Sequence, residues 1–158
     1  MKSTLLSTLV VLVLMVASSA DAQPKWVVGG HMGLSLSDGN AGFHFGPMTE
    51  AVFERQFAVG SEFNINTQSG TPVEWPVYFK YLFRVPGSKI QPYADAGFTL
   101  VIVTGGPYFG LRFGGGANIP VAKNLSIAPD LQLGPIFASG ATIFGLWIRA
   151  GIRYDLPT

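Results

Sequence analysis

The sequence predicts an all-β fold: an eight-stranded antiparallel up-and-down transmembrane β-barrel, preceded by a cleaved signal peptide. Three observations carry this expectation. Apolar residues alternate with a period of two along the chain after residue 22, seven turn clusters divide that alternation, and only 12% of the residues are charged. Strict alternation is the signal of a strand with two unlike faces. A soluble domain carries about a quarter of its residues as Asp, Glu, Lys or Arg, and half that share does not cover a surface wholly in water. Ten Lys and Arg against nine Asp and Glu leave a net charge of +1. With no basic patch or stripe, no nucleic-acid partner is expected. The 158 residues include no cysteine, which removes disulfides, thiolate zinc sites and cysteine nucleophiles. One domain fits the length.

The first 22 residues are read apart from the fold. Lys2 precedes the unbroken apolar run from Leu9 to Val16, and Ala20-Asp21-Ala22 closes the segment. A positive start, a short apolar stretch and an A-x-A site form a secretory signal peptide. The run is far shorter than the roughly 20 residues of a spanning helix. Cleavage after Ala22 is therefore expected, leaving residues 23–158 as the barrel domain.

The eight strands are placed at about 25–37, 41–53, 57–66, 73–84, 90–103, 108–119, 124–134 and 142–156, between clusters such as Asp38-Gly39-Asn40, Val85-Pro86-Gly87-Ser88 and Thr104 to Pro107. Gly and Pro in such clusters mark turns. The first strand sets Trp26, Val28, Met32, Leu34 and Leu36 on one face and His31 on the other. The second opposes Phe43, Phe45, Ala51 and Phe53 to His44 and Glu50, and the third opposes Phe57, Val59, Phe63 and Ile65 to Glu62. The fourth has Trp75, Val77, Phe79, Tyr81 and Phe83 against Glu74, Lys80 and Arg84. In the fifth, Ala94 to Ile102 by twos face away from Asp95, and in the sixth Phe109, Leu111 and Phe113 face away from Arg112. The seventh sets Leu125, Ile127, Leu131 and Leu133 against Asp130. The eighth sets Phe144, Leu146, Ile148, Ile152 and Tyr154 against Arg149, Arg153 and Asp155.

Glycine decides which face is inside. Twelve of the 20 glycines fall on the charged face, Gly30 and Gly115 on the apolar face, and the rest in turns. Small residues suit the crowded concave side of a narrow closed sheet. The charged face is thus expected to line the lumen and the apolar face to point outward into lipid, since a patch of that size in water would aggregate. A sheet edge cannot sit in hydrocarbon, so the sheet must close. Segments of about ten alternating residues in even number are the signature of an outer-membrane barrel. Trp26, Phe53, Phe57, Tyr81, Phe83 and Tyr154 gather near one rim, and Phe43, Phe63, Trp75, Phe109 and Phe144 near the other. Of these, Trp26, Phe57, Trp75, Tyr81, Phe83 and Tyr154 are the candidate interface girdle.

Several stretches resemble a known family. They are Gly29-Gly30-His31-Met32-Gly33-Leu34, Phe57 to Phe63, Pro76 to Phe83, Gln91 to Gly97, Phe109 to Gly116 and the closing Trp147 to Leu156. Together they resemble the small eight-stranded outer-membrane β-barrels of the OmpA/OmpX-like, "porin family" type in Gram-negative bacteria. The resemblance implies location in the cell outer membrane, contact with outer-membrane lipids, and insertion by the barrel assembly machinery. It implies a monomer. Members usually end on an aromatic residue, whereas this sequence ends Tyr154-Asp155-Leu156-Pro157-Thr158, and the loops between its strands are short.

A barrel of eight strands is just wide enough for side chains to fill it. The lumen charges Glu50, Glu62, Glu74, Lys80, Arg84, Asp95, Arg112, Asp130, Arg149, Arg153 and Asp155 are therefore expected to pair, because a lone buried ion costs several kcal/mol. Plausible hairpins place Glu62 opposite Lys80 and Lys80 opposite Asp95, with Arg112 one strand on. His44 is placed facing Ser35 if Gly39-Asn40 forms a two-residue turn, with Glu50 on the same parity; this is the one arrangement with nucleophile logic. It points into the lumen, away from any lipid substrate. His31, His44 and Glu50 match no metal-ligand spacing, and neither metal nor cofactor is expected. Gly114-Gly115-Gly116 lacks the Lys-Ser/Thr of a phosphate loop and reads as a strand bend. The expected role is structural, in the envelope, with a filled, ion-paired lumen. A narrow pore or small-solute transporter is the alternative, and a lipid-modifying enzyme a weaker one. A soluble lipocalin-like barrel is what remains if the two faces are reversed.

Overall fold

The computed structural model describes residues 23–68, 70–138 and 140–157. The expected signal peptide, residues 1–22, lies outside them. Nine strand segments run in order: β1 (Lys25–Ser37), β2 (Asn40–Phe53), β3 (Phe57–Glu62), β4 (Asn64–Asn66), β5 (Val73–Leu82), β6 (Gln91–Val103), β7 (Gly106–Ala122), β8 (Leu125–Ala138) and β9 (Ala141–Asp155). β3 and β4 are two halves of one stave, so eight staves stand side by side. Each pairs antiparallel with its chain neighbour, and β9 pairs with β1 to close the barrel.

The closure is staggered. Following paired residues round the wall from Trp26 leads through Ala51, Val59, Phe79, Ala96, Phe113, Leu133 and Leu146 to Leu36, ten residues further along β1. With a rise of about 3.3 Å per residue and strands about 4.8 Å apart, that stagger is ~33 Å against a circumference of ~38 Å. The strands therefore tilt by roughly 40°. Every residue on this circuit points outward, and every one is apolar. The outer surface continues as exposed Met32, Leu34, Phe45, Trp75, Phe98, Phe109, Leu131, Phe137, Ile148 and Ile152. The inner surface carries buried Glu50, Glu62, Glu74, Lys80, Asp95, Arg112, Arg149 and Arg153. The faces lie as the glycines predicted.

Prolines account for most departures from the expected strands. The third stave breaks at Phe63, which falls at the level of Pro47 on β2, while its neighbour Glu62 falls at the level of Pro76 on β5. Neither proline has an N–H to give, so the ladder loses a bond on each side. Phe63 still donates its own N–H to the Pro47 carbonyl at 3.1 Å. The turn expected over 135–141 is instead two residues, because β8 runs through Pro135 to Ala138. The missing N–H appears as a gap in the β7–β8 ladder between Gly110↔Ile136 and Phe113↔Leu133. Likewise β7 passes through Pro120 to Ala122 by a bulge instead of turning at 120–123. A proline inside a sheet is confined to bulges and interruptions, and here it interrupts without turning the chain.

Candidate functional site

The lumen gathers most of the buried polar and charged side chains among the described residues. Alternation on eight staves brings them there, and they sort into three levels. Nearest the end at which the chain enters and leaves, the Glu50 carboxylate accepts hydrogen bonds from Lys80 Nζ at 2.5 Å, from Tyr78 Oη at 2.9 Å, and from Arg153. Lys80 also sits 4.1 Å from the centre of the Tyr93 ring, within cation–π range. Glu50 is fully buried.

At the middle level Arg149 spans the barrel. Its Nε and Nη2 donate to the two Asp130 oxygens at 2.7 and 2.8 Å, and its Nη1 donates to Glu62 at 2.7 Å. The fork matches the carboxylate geometry that guanidinium favours. Tyr93 Oη adds a bond to Asp130 at 3.1 Å, and Asn64 one to Glu62 at 3.3 Å. Gln132 Nε2 donates to Asp95 at 3.2 Å.

At the far level Arg112 pairs with Glu74, and its guanidinium carbon lies 4.0 Å from the centre of the Trp147 ring. Asn66 donates to Ser35 at 2.8 Å and to Glu74 at 3.2 Å. Beyond this the lumen turns apolar: Val101, Ile136 and Trp147 pack with Val103, Tyr108 and Ile143. A cavity of about 150 Å³ opens among them. A larger one, of about 450 Å³, enters from the terminal end.

Glu50, Glu62, Glu74, Lys80, Asp95, Arg112, Asp130, Arg149 and Arg153 lie on the lumen side, whereas Arg84 and Asp155 lie elsewhere. Lys80 is opposite Asp95 as expected, but Ala58, not Glu62, is its neighbour on the other side; Glu62 is opposite Met48. The connection from β4 to β5 is four residues shorter than the Glu62–Lys80 register requires, so Lys80 reaches Glu50 and leaves Glu62 to Arg149. Arg84 is no part of the lumen. β5 ends at Leu82, and exposed Arg84 donates to the Glu54 carbonyl at 2.9 Å. Asp155 is at the rim, paired with Lys25 at 2.7 Å.

His44 does not face Ser35. The turn is Asp38-Gly39, so His44 is opposite Gly33 and Ser35 opposite Gly42. Ser35 Oγ donates to the Gly42 carbonyl at 3.3 Å. His44 packs on His31, ring centres 5.7 Å apart. Among the described residues no group of three or more His, Cys, Asp or Glu could hold a metal ion. Sequence reasoning passed over Asn64, Asn66 and Gln132, although their inward parity was the available signal.

On the outside, Trp26, Trp75, Phe83 and Tyr154 are exposed. Phe57 and Tyr81 stand 5.3 Å apart edge to face, with Phe83 4.9 Å from Tyr81. Trp75 Nε1 donates to Ser61 at 2.8 Å. On the other flank Phe98, Phe109 and Phe137 stack in a row.

A closed barrel of eight staves with charges inside and an aromatic-flanked apolar belt outside has the fold of the small outer-membrane β-barrel proteins. The solved structures it is similar to are of that kind. Neisserial surface protein A superposes with a TM-score of 0.61 at 18% identity, over 84% of this chain and 97% of that one. The N-terminal β-barrel domain of Pseudomonas aeruginosa OprF gives 0.60 at 12% identity, over 84% and 100%. A de novo designed transmembrane β-barrel gives 0.57 at 16%, over 85% and 98%. No protein-family model and no curated protein matches the sequence.

Proposed function

We propose that the protein is an integral barrel of the outer membrane with a structural role in the envelope and a lumen closed to solutes. The observation that carries this reading is that buried ion pairs cross the lumen at two successive levels. Glu50 with Lys80 and Arg153 forms one, and Arg149 with Glu62 and Asp130 the other. Any solute path must part both, and each partner left buried and alone costs several kcal/mol. The apolar belt would face the membrane lipids, and the assembly machinery would deliver the chain as a monomer.

Conductance tests the reading. The purified protein in planar bilayers should give no long-lived single-channel steps, and its proteoliposomes should take up no sugar-sized solute. Sustained conductance from the wild-type monomer would overturn the closed lumen. It would favour a second reading, a narrow pore or small-solute transporter, which draws support from the cavities of about 450 and 150 Å³ entering the two ends.

A further inference from the structure

The two ends of the barrel differ sharply in charge. The rim at the terminal end carries exposed Lys25, Arg55, Arg84, Lys89 and Lys123 against Glu54 and Asp155. Among the described residues of the turns at the other end, Asp38 is the one charged side chain. The basic rim surrounds the mouth of the larger cavity, and Lys25, Arg55, Lys89 and Arg153 line it with Asp155 as the one acid. Lys25 is engaged by Asp155. Arg55 and Lys89 form no ion pair among the described residues.

The floor of this cavity adds an independent feature. Arg153 is 6% exposed, gives Nη2 to Glu50, and keeps its Nε without a hydrogen-bond partner among the described residues. A buried donor left unmet is costly. Arg153 itself lines the cavity, so its guanidinium holds positive charge beneath the mouth.

We propose that this vestibule is a binding site for a phosphate group, with the exposed Arg55 and Lys89 at the mouth and the Arg153 charge at the floor. Phosphate suits the site because its several acceptor oxygens can engage separated cations at once, and guanidinium groups bind it through paired N–H donors. The cavity of about 450 Å³ falls within the usual range of small-ligand sites. The group can belong to a soluble phosphate ester or to a phospholipid headgroup of the leaflet at that rim. Only the second source rests on the membrane location proposed above.

The test uses the full barrel folded in zwitterionic detergent, titrated with glycerol 1-phosphate at constant ionic strength and followed by its thermal unfolding midpoint. A second arm places the barrel in phosphatidylcholine vesicles with and without phosphatidylglycerol. Glycerol 1-phosphate should raise the midpoint above that in matched chloride, and Arg55→Ala with Lys89→Ala should weaken the effect about tenfold, one charged hydrogen bond's worth. Both residues are exposed in turns, so the variant folds. A response confined to the phosphatidylglycerol arm, and lost in the double variant, assigns the site to the headgroup. Equal midpoints in phosphate and chloride together with no lipid response overturn the proposal, as does a response that the double variant retains. Failure to insert into vesicles would count against the membrane reading and leave the detergent arm decisive for the site.

Discussion

Arg149 makes more charged contacts than any other lumen side chain, and its three bonds to Glu62 and Asp130 use most of its donors. Removing it strands two buried carboxylates at once. Arg149→Met should lower barrel stability by about 3–5 kcal/mol, the usual result of breaking a buried pair from one side. Lys80→Met should cost less, about 1.5–3 kcal/mol for one charged hydrogen bond, because Glu50 keeps Arg153 and Tyr78. Urea unfolding in lipid vesicles separates the two, and equal midpoints would mean that the lumen is wet enough to screen both losses. Glu62→Gln with Asp130→Asn should restore much of the Arg149→Met deficit, since it removes the unpaired charges themselves.

At the scale of the strand, face was legible and register was not. Each strand separates its two sides through a period of two, which sets Glu62, Lys80 and Asp95 on one face, and the glycines sharing that face turn it inward. Which of them meet depends on hairpin length. The stretch from Asn66 to Val73 has no fixed two-residue turn, and the Glu62–Lys80 pairing assumed there fails by four residues. Proline misled for a related reason. Pro135 reads as a turn residue by composition, yet in a closed sheet its cost is a single missing ladder bond, and β8 continues past it. Arg84 followed strand parity past the true end of β5 at Leu82. The outward face makes a prediction of its own. Leu133, on the circumferential apolar row, is exposed and flanked by Phe113 and Leu146. Leu133→Arg should cost roughly 2–4 kcal/mol in a bilayer if the residue lies near the midplane. A cost that is as large in detergent as in lipid would remove the bilayer as its cause.

For the whole molecule, closure brings the start of β1 and the end of β9 together. Val27 pairs with Asp155 across the seam, and Leu156 donates its N–H to the Trp26 carbonyl at 2.9 Å. Linking residue 157 to residue 24 through a short flexible linker and opening the chain between Thr104 and Gly105 should therefore give a barrel with the same wall. That turn is two exposed residues, and such sites tolerate new termini. The permutant should show the same heat-modifiable migration on gels as the parent. Migration as an unfolded chain at all temperatures would show that closure depends on the native order of the strands.

The seam between β1 and β9 is the one junction in the wall that no turn holds in place. Sliding it by a single residue would expose the lumen charges to lipid, but sliding by two leaves every side chain on its proper side. The outer belt cannot tell those berths apart. The charges on β9 can, because each reaches a partner across the seam whose height in the barrel is already fixed: Asp155 to Lys25 on β1, Arg153 to Glu50 on β2, and Arg149 to Glu62 on β3. The last strand to emerge thus carries a key cut to fit residues made long before it, and a misaligned barrel would be recognisable from within by carboxylates left unanswered.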